Sequence, residues 1–210
     1  LEEDALTMTE LDRERLKELY LPPTEDFTFV DVPELRYAML DGHGDPDGEA
    51  FRHAVRWLFS AIDPIKRVAR ERMGKDFVEP PLECLWWTDD PRDFVAGTRD
   101  AMRWRPMILT ADWVDHELFA QAVATTSERL GEVPDTLRLE QLHEGRSVQI
   151  MVVGDYASSA AALARRLHER FLPEHGLRPN GLHHEIYLSD PNRVAAERMR
   201  TVLRQPVASA

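Results

Sequence analysis

The sequence predicts an α+β fold built from two similar halves. Three observations carry that prediction: apolar runs of strand length, segments of helical period between them, and an order of elements that occurs twice along the chain. At 210 residues the chain suits one compact body or two small ones. With 43% hydrophobic and 30% charged residues, its composition is that of a folded domain rather than a disordered chain.

Residues 1–26 read as an N-terminal arm, a short amphipathic helix with Leu11, Leu16 and Leu19 on one side, ended by Pro22-Pro23. From Phe27 the texture changes: FTFVDV and ELRYAML are strand-like, and Gly42-His43-Gly44-Asp45-Pro46 is a turn cluster. A helix follows from Glu49 to about Met73, with Phe51, Val55, Leu58, Phe59 and Ile62 at helical spacing and Pro64 expected to kink or divide it. LECLWW and RWRPMIL are strands, and Asp115 to Leu130 is helical. A second series starts near Thr136. Strands TLRLEQL and SVQIMVV lead to a turn at Gly154-Asp155-Tyr156, an Ala-rich helix from Ser158 to Phe171, the strand HHEIYLSD and a last strand RMRTVLRQP.

Local alignments support the duplication. Gly44 overlies Gly154 at an offset of 110 residues, Asp90 overlies Asp190 at 100, and Arg103 overlies Arg198 at 95. Offsets that shrink steadily are what differing loop lengths produce. The body, residues 27–207, is therefore expected to hold half repeats at about 27–111 and 136–207, joined by a helical connection near 112–135. Two half-sheets related by a pseudo-two-fold axis are expected to leave a central ligand cleft, the favoured place for a small molecule.

Charge and cysteine usage narrow the partners. The 26 Lys and Arg against 38 Asp and Glu give a net charge of -12, which argues against a nucleic-acid partner and favours neutral or cationic small molecules. A single cysteine, Cys84, offers no intramolecular disulfide and no thiolate cluster, and an inert core thiol is its expected role. No segment reaches bilayer length and the N-terminal stretch has no signal-peptide core, so no membrane partner and a cytoplasmic location are expected.

The strand LHHEIYLSD concentrates the candidate chemistry. Period-two alternation puts His183, Glu185 and Tyr187 on one face and His184, Ile186 and Leu188 on the other. Only one face is expected to be core. The second is apolar apart from His184, so the first is assigned to the cleft. A carboxylate beside an aromatic ring there could attract a cation, hold a water or act as a general base; pairing of Glu185 with an arginine, or its exposure, stays open as the alternative.

In the matching strand the repeat sets Trp87 opposite Tyr187, while Trp86 lies on the other face. Trp104 adds a further large ring. For each Trp taken singly, core packing is the bland explanation. Taken together, Trp87, Trp104, Tyr156 and Tyr187 around Glu185 make an aromatic cage for a flat ligand competitive. The run His183-His184-Glu185 contains an H-x-E, but the P-C-x-x-C of a zinc deaminase is missing, so no metal is expected. Without a P-loop, a G-x-S-x-G or a G-x-G-x-x-G, no cofactor is expected either.

These residues also carry a family resemblance. VPELRYAMLDGHGDPDGEAF, PLECLWW, RWRPMIL, EGRSVQIM, GLHHEIYLSDP and TVLRQPV, spread between Val32 and Val207, resemble the GyrI-like small-molecule-binding family, particularly its stand-alone members. The resemblance covers about four-fifths of the chain. It implies two tandem strand-helix-strand-strand (SHS2) modules around a cleft that binds bulky planar, often cationic, xenobiotics, with a buried glutamate at Glu185. Similar stand-alone proteins are cyclopropanoid cyclopropyl hydrolases, which protect cells against DNA-alkylating natural products of the yatakemycin and duocarmycin class. By that resemblance the cage falls on Trp86, Trp87, Trp104, Tyr156 and Tyr187.

The chain departs from the family where relatives read QIMHxGPYDDE: here QIMVVGDYASS places Val152 for His, Asp155 for Pro and Ser159 for Glu. Two functions follow as expectations. In the first, the cage stacks a flat alkylating ligand, Glu185 directs water to a strained cyclopropane, and Tyr156 or Tyr187 polarises the carbonyl, with His183 lining the site. In the second, the protein sequesters or senses cationic aromatic drugs, and Glu185 is their counter-ion. No N-terminal helix-turn-helix fits in the arm, which argues against a transcription factor.

Overall fold

The computed structural model describes residues 13–74, 80–89, 98–154 and 162–210. Along the chain these form α1 (Arg13–Tyr20), β1 (Thr28–Met39), β2 (Gly42–His43), α2 (Glu49–Met73), β3 (Leu82–Trp87), β4 (Arg103–Leu109), α3 (His116–Leu130), β5 (Arg138–Val153), a helical run α4 (162–174), β6 (Leu177–Pro179), β7 (His183–Tyr187) and β8 (Arg200–Ser209). The fold is mixed α+β, as the alternation of periods predicts. Tyr156, Asp155 and Ser159 lie outside the described residues.

The described residues form two compact units from interleaved segments: residues 35–74, 80, 86–89 and 98–142 in the first, and residues 13–34, 81–85, 143–154 and 162–210 in the second. In the first unit, β4 pairs antiparallel with β2 and with the end of β1, where Tyr37 faces Leu109 and Met39 faces Met107. Helix α2 buries Trp57, Leu58, Ala61, Ile62 and Ile65, and Met107 and Ile108 of β4 are fully buried with them. Gly74 ends the helix in the left-handed conformation (φ 63°), its N–H donating to Arg70 O. Helix α3 starts where the Asp115 carboxylate accepts from Leu118 N at 2.8 Å.

Helix α2 runs unbroken through Pro64, so the proline does not divide it. A proline lacks the N–H that would bond the carbonyl four residues back, here Ser60 O. Thr126 of α3 supplies the missing donor: its hydroxyl lies 3.0 Å from Ser60 O and 2.8 Å from Ala122 O, sharing one proton between them. The bond is buried, so an unpaired Ser60 carbonyl would have been costly.

In the second unit the strand order is β1-β5-β8-β7-β3, with β6 on the far part of β8. Helix α4 packs Leu167 and Leu172 against Val148, Ile150, Val152, Leu203 and Val207. It contains a π-helical turn at Leu167–Phe171. Helix α1 is docked by buried Leu16, Leu19 and Tyr20.

Two pairs of runs expected as separate strands are single strands. FTFVDV and ELRYAML join across Pro33 in β1, and TLRLEQL and SVQIMVV join in β5. Gly145 lies within β5 at φ 61°, a conformation that glycine adopts without strain. Hydrophobic patterning lapses at these points, but the backbone continues.

Candidate functional site

Strand β7 pairs with β8 so that His184 faces Arg204, Glu185 faces Leu203 and Tyr187 faces Thr201. As an inner strand between β8 and β3, it is covered on both sides: His183, His184, Glu185 and Ile186 are all buried. The expectation that only one of its faces is core is therefore corrected. Alternation separates the two faces, and each turns out to bury polar groups.

On the first face, Glu185 is 3% exposed and is held at both carboxylate oxygens by its own strand. His183 Nε2 lies 3.1 Å from Oε1, and the Tyr187 hydroxyl donates to Oε2 at 2.5 Å. The three predicted residues are thus brought together, with Tyr187 half-buried at the outer end. Such a carboxylate is pre-oriented, and the phenol proton of Tyr187 is committed to it. His168, in the π turn of α4, has its pKa lowered by burial and by the nearby His183, so it stays neutral at physiological pH.

The second face holds a network that sequence reasoning missed. His184 is fully buried between two carboxylates, with Nδ1 3.0 Å from Glu144 Oε1 and Nε2 3.0 Å from Glu83 Oε2. Arg204 donates from Nη1 to Glu144 at 3.1 Å and from Nε to Gln149 Oε1 at 3.1 Å. Burial by itself would push the His184 imidazole down, but Glu144 and Glu83 together outweigh it and lift its pKa to about 9. Burial likewise pushes the Glu144 carboxyl up, yet His184 and Arg204 bring it down to about 2. Two carboxylates thus meet two cations, the arrangement that makes buried charge tolerable.

The network also fixes the N-terminal helix. Arg204 Nη2 donates to Leu19 O at 2.6 Å, Gln149 Nε2 to Glu18 O at 2.6 Å, and the Tyr20 hydroxyl to Glu83 at 2.8 Å. The open carbonyls at the end of α1 are where a cation is favourable. Glu83 in LECLWW and Arg204 in TVLRQPV, charges inside apolar strands, were the available signals.

The tryptophans belong to the first unit. Trp86 and Trp104 are buried and flank Phe51, stacked at 5.4 Å and edge-on at 5.2 Å between ring centroids. Trp104 Nε1 donates to Gly44 O at 3.3 Å, and a Cβ on Gly42 would fall 2.0 Å from its ring, which is why this turn carries glycine. For these two rings the packing role is the one observed. Trp87 is half-buried, with the Arg105 guanidinium 5.7 Å from its ring centroid. Arg105 is held by Asp41 in a bidentate pair at 2.5 and 3.0 Å. Val152 is buried in the apolar core beneath α4. Cys84 is buried in β3, its thiol 3.5 Å from Leu85 O. No helix among the described residues is long and apolar enough to cross a membrane.

No curated protein matches the chain. An uncharacterized conserved protein from Listeria innocua shares 33% identity over 93% of this chain and 98% of its own, with a TM-score of 0.80. A protein named as a hydrolase, also from Listeria innocua, shares 32% identity over 95% of this chain and 100% of its own, at a TM-score of 0.76. The C-terminal domain of EcmrR has the same fold at 12% identity, covering 88% of this chain and 98% of its own, at a TM-score of 0.54. The model of the GyrI-like small molecule binding domain matches residues 110–208. With the near-full-length likeness to the Listeria proteins, that match shows that the chain belongs to the GyrI-like small-molecule-binding family.

Proposed function

We propose that this protein binds bulky planar aromatic xenobiotics and hydrolyses the cyclopropane of cyclopropanoid DNA-alkylating compounds of the yatakemycin and duocarmycin type, thereby protecting the cell. Within this reading residues 27–207 form the ligand-binding domain as tandem SHS2 modules. Glu185 is the general base, Tyr187 holds its carboxylate, Tyr156 polarises the substrate carbonyl, His183 lines the site, and Trp87 supplies aromatic surface in a cage whose other rings, Trp86 and Trp104, are packed on Phe51.

The observation that carries the reading is the buried Glu185 carboxylate, gripped at both oxygens by His183 and Tyr187. A carboxylate held in this way loses little freedom when it orients water, which is what general-base catalysis requires. The hydrolase name of a 32% identical neighbour points the same way. In the reaction, the water oxygen bonds to the ring methylene carbon as the carbon–carbon bond breaks. The electron pair passes through the dienone to its carbonyl oxygen, Glu185 takes the water proton, and that proton is passed on through solvent to the carbonyl oxygen, so that a phenol forms, the carboxylate is regenerated and no proton is gained or lost overall. The strained ring supplies much of the driving force, so orientation suffices.

Time-resolved chromatography of a cyclopropanoid alkylator with the protein tests this reading. A ring-opened hydrate accumulating over many turnovers is expected. Glu185→Gln should keep ligand binding and cut turnover by roughly tenfold to ten-thousandfold. Intact ligand retained at one equivalent, or turnover unchanged in Glu185→Gln, would overturn the hydrolytic assignment.

A further inference from the structure

The contact between Arg105 and Trp87 bears on which planar molecules are accepted. We propose that Arg105 is a specificity-determining residue: it makes Trp87 a platform for neutral, carbonyl-bearing aromatics and disfavours aromatic cations. The inference rests on the reading that Trp87 contacts the ligand.

An indole attracts cations through the negative potential of its faces, and a guanidinium within about 6 Å of the centroid already satisfies that attraction. Arg105 sits at 5.7 Å. A cationic ligand stacking on Trp87 would have to displace this guanidinium or share one ring with it, and two cations drawing on one π-system repel each other. Displacement is opposed by the anchor. Arg105 is bound through Nε and Nη2 to both oxygens of Asp41, and the same carboxylate pairs with Arg138 at 3.4 Å. Arg138 in turn pairs with Glu140. Asp41 is therefore fully engaged and is no counter-ion for an incoming cation.

The remaining donors of Arg105 point to the favoured class. A guanidinium has five N–H groups, and among the described residues Asp41 takes two of them. The side chain keeps 23% of its surface exposed. Donors beside a half-buried indole suit a flat molecule with an acceptor oxygen at its edge, because the ring then stacks while the oxygen meets the guanidinium. The field of a protein with net charge -12 draws cations toward the surface, yet this local geometry selects against them.

Acridone and proflavine provide a matched pair of tricyclic probes, one neutral with a carbonyl and one cationic. Equilibrium dialysis of both, with wild type, Arg105→Met and Trp87→Leu, separates the cases. Wild type is expected to bind acridone more tightly. In Arg105→Met acridone should weaken several-fold, on the order of tenfold, while proflavine holds or tightens, erasing the preference. If Trp87→Leu weakens both probes but Arg105→Met changes neither, Trp87 is a ligand platform and the role of Arg105 is wrong. If Trp87→Leu changes neither, the placement of Trp87 at the ligand is wrong and the inference falls with it. Should Arg105→Met melt at a markedly lower temperature, Arg105→Lys retains the charge without the planar fork. An acridone loss smaller than that of Trp87→Leu but still several-fold is then expected, and no loss would overturn the proposal.

Discussion

Thr126 on α3 donates its hydroxyl to the carbonyl of Ser60 on α2, the acceptor that Pro64 leaves without its usual partner. A proline that would interrupt an isolated helix is accommodated because a neighbouring helix provides the hydrogen bond. The pairing predicts a coupling between residues 64 and 126 that neither shows alone.

Thr126→Val removes the donor and should destabilise the protein by about 1–3 kcal/mol, the usual effect of stranding a buried carbonyl. In a Pro64→Ala background the new backbone N–H can reach Ser60 O, so the same substitution should cost clearly less. A urea-melt double-mutant cycle measures the difference, and strictly additive effects would show that Thr126 does not compensate for Pro64.

The charge network on β7 predicts a pH dependence at the alkaline end. The pKa of His184 is raised to about 9 in the folded protein against an ordinary 6.5, so between those values the folded state binds more protons than the unfolded one. Its contribution is complete below about 6.5 and is lost as pH rises through about 9, a change on the order of 3 kcal/mol. The stability lent by Glu144 is complete above its ordinary 4.5 and is lost as pH falls through about 2. Denaturant melts between pH 6 and 10 should show a decline that disappears in His184→Gln. That variant, which leaves two buried carboxylates short of a cation, should itself lose about 3–5 kcal/mol.

Tyr187→Phe removes the donor to Glu185 Oε2. A hydrogen bond to a charged group contributes about 1.5–3 kcal/mol, so the thermal midpoint should fall while the fold is retained. Turnover of a cyclopropanoid substrate should drop at least tenfold, with ligand affinity altered far less. Single-turnover chromatography alongside equilibrium binding distinguishes this from a general loss of structure, which would lower both together.

The sequence made the element map readable where alternation or helical period was unbroken. LECLWW, RWRPMIL and the segment from Glu49 to Met73 coincide with β3, β4 and α2. It was misleading at Pro64, where a divided helix was among the expectations, because whether a proline interrupts an element depends on partners elsewhere in the fold. At β7 the period-two rule sorted His183, Glu185 and Tyr187 from His184 correctly. It could not tell a buried ion network from a solvent-facing surface, since Glu83, Glu144 and Arg204 come from three distant stretches of chain. The tryptophans illustrate the same limit: the pattern gives their faces on a strand, while Phe51, from α2, decides that Trp86 and Trp104 are packed.

The clamp on α1 has a bearing on biosynthesis. Leu19 O is held by Arg204, 185 residues further along the chain. At translation rates of about 5–20 residues per second, the helix emerges from the ribosome roughly 10–40 s before the side chain that holds it. During that interval Leu16, Leu19 and Tyr20 lack their final surroundings, and the second unit is complete only once β8 has emerged. The earliest segment of this unit to be made is therefore among the last to be secured, a vectorial order that exposes its apolar side to chaperones or to self-association in the nascent chain.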